Sequence, residues 1–197
     1  MKKGLTEIVL ILDKSGSMGG TESDVIGGLN TFIEEQKKLP GDAKFTLIQF
    51  DTNIIKQMNR ISIQIIDKFT KKDYRPSGGT ALLEAMWKTI DEVGLALSEE
   101  EEFNRPEKVM IVVMTDGQEN QSNYPYNDKK ELGEKIKHQQ DKYNWEFVFL
   151  GANFDVFGEA QSMNFKSANT TSYVSSADLG VRGFADMNLT VSAYRTH

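Results

Sequence analysis

Three stretches of the chain are almost continuously apolar: residues 8–12, 109–114 and 147–150. Each is short and rich in β-branched or aromatic residues, the composition of strands buried on both faces. Between them apolar side chains recur at helical spacing. Leu83, Met86, Trp87, Ile90, Gly94 and Leu97 fall on one face of a helix, and Val25, Leu29, Phe32, Ile33 and Leu39 on one face of another, which Pro40 and Gly41 bring to a stop. Thr21 and Asp24 stand at capping-box spacing at the start of that helix, with Asp in place of the usual Glu or Gln.

Buried strands alternating with amphipathic helices predict an α/β fold: an open, mostly parallel sheet with helices on both faces. Residues 45–50 add a strand, and 54–58 add another after only Asp51, Thr52 and Asn53. That gap is too short for a crossover helix, so the pair forms an antiparallel hairpin at one edge. Toward the C-terminus the pattern predicts a helix over 155–162, a short strand near Phe165 and a last helix over 177–194, with Leu179, Val181, Phe184, Met187, Leu189, Val191 and Tyr194 available for packing. The acidic run Glu99 to Glu102 follows the helix that starts near Thr80, which puts it at the bottom of the sheet as a solvated loop.

Composition narrows the chemistry. A chain of 197 residues is long enough for one domain, here residues 1–197, and buries about 70% of its unfolded surface. It has no cysteine, which removes disulfides, thiol nucleophiles, thiolate zinc sites and iron–sulfur clusters. Its two histidines are the terminal His197 and His138, the latter in a polar stretch that reads as a solvated helix face, so His-based catalysis has little to work with. A net charge of −6 argues against a sequence-independent grip on nucleic acid or anionic membrane. The first apolar run is broken by Asp13, too early for a signal peptide or membrane span, so the expectation is a cytoplasmic protein.

The oxygen groups that remain are not scattered. Asp13, Ser15 and Ser17 follow the first buried strand; Thr80 follows Gly78 and Gly79 at the head of a helix; Asp116 follows the strand that ends near Met114. All five fall at the carboxyl ends of strands, where open α/β sheets hold their ligands. Singly, each reads as a turn or helix-cap residue. Together they offer three hydroxyls and two carboxylates, a donor set suited to a hard divalent cation that keeps some of its water. Gly16 and Gly117 suit tight turns beside them, and Glu119 and Asn120 are candidates to support them from behind. Asn153 and Asp155, at the top of the next strand, are candidates for the rim.

Asp13-Lys14-Ser15-Gly16-Ser17, Thr80 and Asp116, in that order, resemble the metal-ion-dependent adhesion site of the von Willebrand factor A family, spelled Asp-x-Ser-x-Ser, then Thr, then Asp. The resemblance spans roughly residues 5 to 195 and departs at none of the five positions. It implies a six-stranded sheet with one antiparallel edge strand. It also implies a metal, Mg2+ or alternatively Mn2+ or Ca2+, touched by Ser15, Ser17 and Thr80, with Asp13 and Asp116 acting through water. The implied function is capture of an acidic side chain of a protein partner, in a small free-standing bacterial or phage-type member. Such members also work beside AAA+ ATPases, which makes an adaptor subunit the alternative, and in some members ligand capture shifts the C-terminal helix. A Mg-dependent phosphatase of the haloacid-dehalogenase-like kind presents Asp-x-Asp after the first strand, where Ser15 takes the second position here, and there is no Gly-x-x-x-x-Gly-Lys run for a nucleotide. The expectation is a binding module and not an enzyme.

Overall fold

The apolar runs become strands because helices cover both of their faces. The computed structural model describes residues 1–197, and its elements are β1 (Lys2–Asp13), α1 (Glu22–Lys37), β2 (Asp42–Phe50), β3 (Ile54–Ser62), α2 (Leu82–Glu99), β4 (Pro106–Thr115), α3 (Lys129–Tyr143), β5 (Glu146–Ala152), α4 (Val156–Ser162), β6 (Thr170–Tyr173), α5 (Ser176–Asp178) and α6 (Phe184–Thr196). The six strands form one sheet in the order β3-β2-β1-β4-β5-β6. Every pair is parallel except β2 with β3, the hairpin expected at one edge.

Residues alternate between two cores with the period of a strand. Ile8, Leu10 and Leu12 of β1, with Met110, Val112 and Met114 of β4, pack beneath α1 and α6, meeting Val25, Leu29, Phe184, Met187 and Val191. Val9, Ile11, Ile111 and Val113 face the other way, toward Leu83, Met86 and Ile90 of α2 and Leu132 and Ile136 of α3. The two clusters hold 26 and 24 buried residues, so the sheet is the middle of three balanced layers. At about 1.5–3 kcal/mol for each fully buried Leu or Ile, both faces contribute comparably to holding it there. No helix is long and apolar enough to cross a membrane.

The order in which strands are added reverses at β1, although its neighbours β2 and β4 both run parallel to it. The link leaving β1 through α1 goes to β2 on one side, whereas β4, on the other side of β1, leads to β5. The carboxyl ends of β1 and β4 therefore flank the point where successive connections diverge, the place an open sheet leaves a crevice. Register puts Leu12 opposite Met114, so Asp13 and Thr115 emerge side by side.

Four expectations change. The strand placed near Phe165 lies five residues later, at Thr170–Tyr173; Phe165 is apolar because its ring packs edge-on against Phe147 and Phe149. Thr21 precedes α1 but forms no capping box: its hydroxyl donates to the Met18 carbonyl at 2.7 Å. The last helix is not uniform, since a π-helical segment (Leu179–Gly183) joins α5 to α6, and Val181 and Leu189 of the expected packing set face solvent. Glu100 is not a solvated loop residue: it accepts from Arg60 Nη1 at 2.8 Å and from Lys44 at 3.4 Å. Arg60 also reaches Glu7, fully buried inside β1, with Nε 3.1 Å from both carboxylate oxygens. This network closes the bottom of the β1–β2–β3 edge.

Candidate metal site

The end of β1 runs straight into the site. Asp13 is fully buried, with Oδ1 accepting from the Ser15 N–H at 2.7 Å and Oδ2 from the Thr115 hydroxyl at 2.6 Å. Burial pushes its carboxyl up to about 6; the bonds from Thr115 and Ser15 oppose this, and the nearby charge of Asp116 adds to it. The Tyr74 hydroxyl, itself buried, donates to the Asp13 carbonyl at 2.7 Å and so fixes the backbone where the strand ends. After Asp13 the chain turns through a 3-10 segment (Gly16–Met18), which brings the Ser15 and Ser17 hydroxyls within 3.0 Å of each other.

Asp116, buried at the end of β4, joins the same group. Its Oδ1 accepts from the Ser17 hydroxyl at 2.5 Å, and its Oδ2 accepts from Ser176 at the start of the C-terminal helical run. Thr80 comes from a third loop. Its N–H donates to Asn120 Oδ1 at 2.9 Å and its carbonyl accepts from the Asn120 N–H at 3.0 Å, a reciprocal clamp between the loops before α2 and after β4. A methyl carbon on Gly117 would stand 3.2 Å from Thr80 Oγ1 and 3.7 Å from Ser17 Oγ. The two hydroxyls thus converge on one small cradle that a side chain at 117 would invade. All five residues singled out in the sequence come together.

The supporting shell is dense. Lys14, between the ligating candidates, turns away and pairs with Asp51 in a buried ion pair. Burial opposes the charge on Asp51, but bonds from Lys14, the Asn53 N–H and Ser77 hold its carboxyl below the usual range. The Ser77 N–H donates to the Lys14 carbonyl at 2.7 Å and the Gly16 N–H to the Gly78 carbonyl at 3.0 Å, lashing the Thr80 loop to the Asp13 loop. Gly78 has φ +67°, and a Cβ there would meet Thr52 Oγ1 at 2.8 Å, so only glycine suits the crossing. Glu119 accepts from the Leu83 N–H at 2.8 Å and from Ser122, which caps the first turn of α2. Glu119 and Asn120 therefore brace the site.

Two rim candidates divide. Asp155 caps α4, accepting from the Gly158 N–H at 3.0 Å. Asn153 Nδ2 donates to Ser176 Oγ at 3.0 Å and so reaches Asp116 through one intermediate. Ser176 was not marked by the sequence; a serine opening a helix gives no sign that it will bond to a loop sixty residues away. His138 is exposed on α3, as read from its surroundings.

Neither Asp13 nor Asp116 has a Lys, Arg or His within salt-bridge distance; the ammonium nearest in sequence, Lys14, is committed to Asp51. Nowhere do three His, Cys, Asp or Glu side chains gather as a metal cluster. The site is instead hydroxyl-rich, with two buried carboxylates lacking a protein cation.

The family model described as von Willebrand factor type A domain matches residues 6–157. No curated protein matches in sequence. Among solved structures, proximal thread matrix protein 1 from the mussel byssus, in a form with a zinc-occupied MIDAS motif, is similar in fold at 16% identity, with a TM-score of 0.64 over 96% of this chain and 46% of that one. The vWF domain of the type V pili tip protein Mfa5 from Porphyromonas gingivalis is similar at 11% identity and TM-score 0.65, covering 98% of this chain and 96% of that one. The pilus adhesin SpaC from Lactobacillus rhamnosus GG is similar at 15% identity and TM-score 0.68, over 98% of this chain and 30% of that one. The chain spans less than half the length of the mussel protein, and at these identities the likeness is one of fold.

Proposed function

The chain belongs to the von Willebrand factor type A domain family, and on that premise we propose that residues 1–197 act as one metal-dependent binding module, whose ion captures an acidic side chain of a partner protein. The observation that carries this reading is the pair of buried carboxylates, Asp13 and Asp116, joined through Ser15 and Ser17 and left without a protein cation. Two desolvated carboxylates so close together are costly unless a positive charge lies between them.

The donor set suits Mg2+. Octahedral Mg–O distances of about 2.1 Å put neighbouring ligand oxygens about 3.0 Å apart, and the Ser15 and Ser17 hydroxyls stand 3.0 Å apart. Ser15, Ser17 and Thr80 would hold the ion through hydroxyls, with Asp13 and Asp116 behind them as acceptors for its waters. Zinc prefers nitrogen and sulfur ligands, yet the mussel relative carries zinc at its MIDAS motif, so the choice of ion follows availability as well as chemistry. Neutral hydroxyls in contact leave the ion electrophilic, and a carboxylate from outside completes its shell.

On this reading the protein binds without turnover, and the pilus and byssus relatives are in keeping with that. Affinity capture from the native host in Mg2+, in EDTA, and with Thr80→Ala tests it. The expected result is a partner held by the wild type in Mg2+ alone. The same proteins retained under all three conditions would overturn it.

A further inference from the structure

The segment between β3 and Thr80 climbs from the bottom of the sheet to the metal-site end, and it is basic in an acidic protein. It carries Lys68, Lys71, Lys72 and Arg75 against Asp67 and Asp73, in a chain whose net charge is −6. All four cations are exposed, and none lies within salt-bridge distance of a carboxylate, although fourteen such pairs form elsewhere. Asp73 is tied into its own turn: its Oδ2 accepts from the Thr70 N–H at 2.6 Å and from the Thr70 hydroxyl at 2.8 Å. The Asp73 N–H closes the turn on the Thr70 carbonyl at 2.9 Å, leaving Lys71 and Lys72 at its tip.

The segment is held, not loose. Phe69 is buried and exchanges backbone hydrogen bonds with the Asn30 side chain of α1, at 2.8 and 3.0 Å. Tyr74 is anchored under Asp13, and Ser77 is bonded to Lys14. Arg75 sits between those two anchors, and with about 3.8 Å between successive Cα atoms its own Cα is within about 8 Å of that of Ser77. The anchored segment thus carries unpaired cations on the stretch of chain that leads up to the candidate metal site, with Arg75 between the two anchors that bond to the Asp13 loop.

We propose that residues 67–75 form a second contact for the partner, selecting an acidic segment in which further carboxylates flank the one taken by the metal. This rests on the metal-capture reading and adds to it the chemistry of the ligand around the captured residue. Nucleic acid fits less well, because the rest of the surface repels a long polyanion. Attraction between an exposed basic loop and an acidic segment is a screened, rate-enhancing interaction.

The test uses fluorescence anisotropy with two labelled peptides in Mg2+: one of six consecutive glutamates and one with a single glutamate among glycines. The wild type is expected to favour the hexaglutamate by about tenfold at low salt, the preference shrinking at high salt. A Lys71→Glu, Lys72→Glu, Arg75→Glu variant keeps its Mg2+-dependent binding of the single-glutamate peptide and loses the preference; the neutral Gln versions lose it in part. Thr80→Ala loses the single-glutamate peptide. A preference that survives charge reversal, or equal Mg2+-dependent binding of both peptides by the wild type, overturns the loop and leaves metal capture standing. Hexaglutamate binding that needs the cations but not Mg2+ supports the loop and contradicts metal capture. Displacement of the peptide by duplex DNA of equal charge at equal concentration overturns the assignment to an acidic protein segment.

Discussion

The Ser176 hydroxyl, at the head of the C-terminal helical run, donates to Asp116 Oδ2 on the loop after β4, while Asp116 Oδ1 accepts from Ser17. One carboxylate therefore links the candidate metal site to the run that ends in α6. Whatever draws Asp116 toward an ion competes with Ser176 for it. Mg2+ is expected to change amide hydrogen exchange at residues 176–183, and Ser176→Ala to abolish that change. Exchange in the wild type that does not respond to Mg2+ would show that the link transmits nothing.

Tyr74 supports the site from beneath through a single buried bond to the Asp13 carbonyl. Tyr74→Phe keeps the ring and leaves that acceptor unpaired, at a cost of about 1–3 kcal/mol. Urea denaturation reads the loss. No change in the midpoint would mean that water replaces the hydroxyl.

Gly117 is the point at which the Thr80 and Ser17 hydroxyls approach the loop after β4 most closely. Gly117→Ala places a methyl 3.2 Å from Thr80 Oγ1 and must displace that hydroxyl slightly. The expected outcome is an ion affinity lowered by about tenfold, in the range seen when groups supporting a metal ligand are disturbed, with an unfolding curve close to wild type. Unaltered ion affinity would place the ion elsewhere.

At the other end of the sheet, burial pushes the Glu7 carboxyl up from its ordinary 4.5 to about 7, against the opposing pull of Arg60. Below pH 4.5 folded and unfolded chains both hold the proton. Between 4.5 and about 7 only the folded chain does, so this contribution to stability is present in acid and is lost as pH rises through about 7. Compared with Glu7→Gln, the wild type should lose on the order of 3 kcal/mol across that window. Arg60→Met removes the pull that opposes burial, so the Glu7 carboxyl is held higher still and the variant should be destabilised more at pH 8 than at pH 5. Denaturation midpoints at pH 5 and pH 8 for the three proteins check both statements; parallel changes in all three would remove Glu7 as their source.

The parts of this fold legible in the sequence are those set by burial and by chain length. Ile8 to Leu12 could only be a strand covered on both faces, and three residues between Phe50 and Ile54 could only make a hairpin. The five oxygen residues were legible because each follows a buried strand or opens a helix, which fixes the end of the sheet it occupies. What was hidden depends on partners distant in sequence. β6 is a four-residue edge strand, Thr-Thr-Ser-Tyr, paired on one side only, so it lacks the apolar signature that Phe165 displays for a different reason. Thr21 looked like a cap because spacing does not reveal that its hydroxyl is spent on Met18. Glu100 sat in an acidic run that reads as solvated, and only the fold brings Arg60 to it. Ser176 belongs to the same class.

A Mn2+ titration followed by electron paramagnetic resonance, with water-proton relaxation recorded on the same samples, decides whether Asp13, Ser15, Ser17, Thr80 and Asp116 hold an ion. One ion bound per chain is expected, with enhanced relaxation from water left on the ion, and loss of both signals in Thr80→Ala. An ion bound equally well by Thr80→Ala, or no bound ion in the wild type, would contradict it.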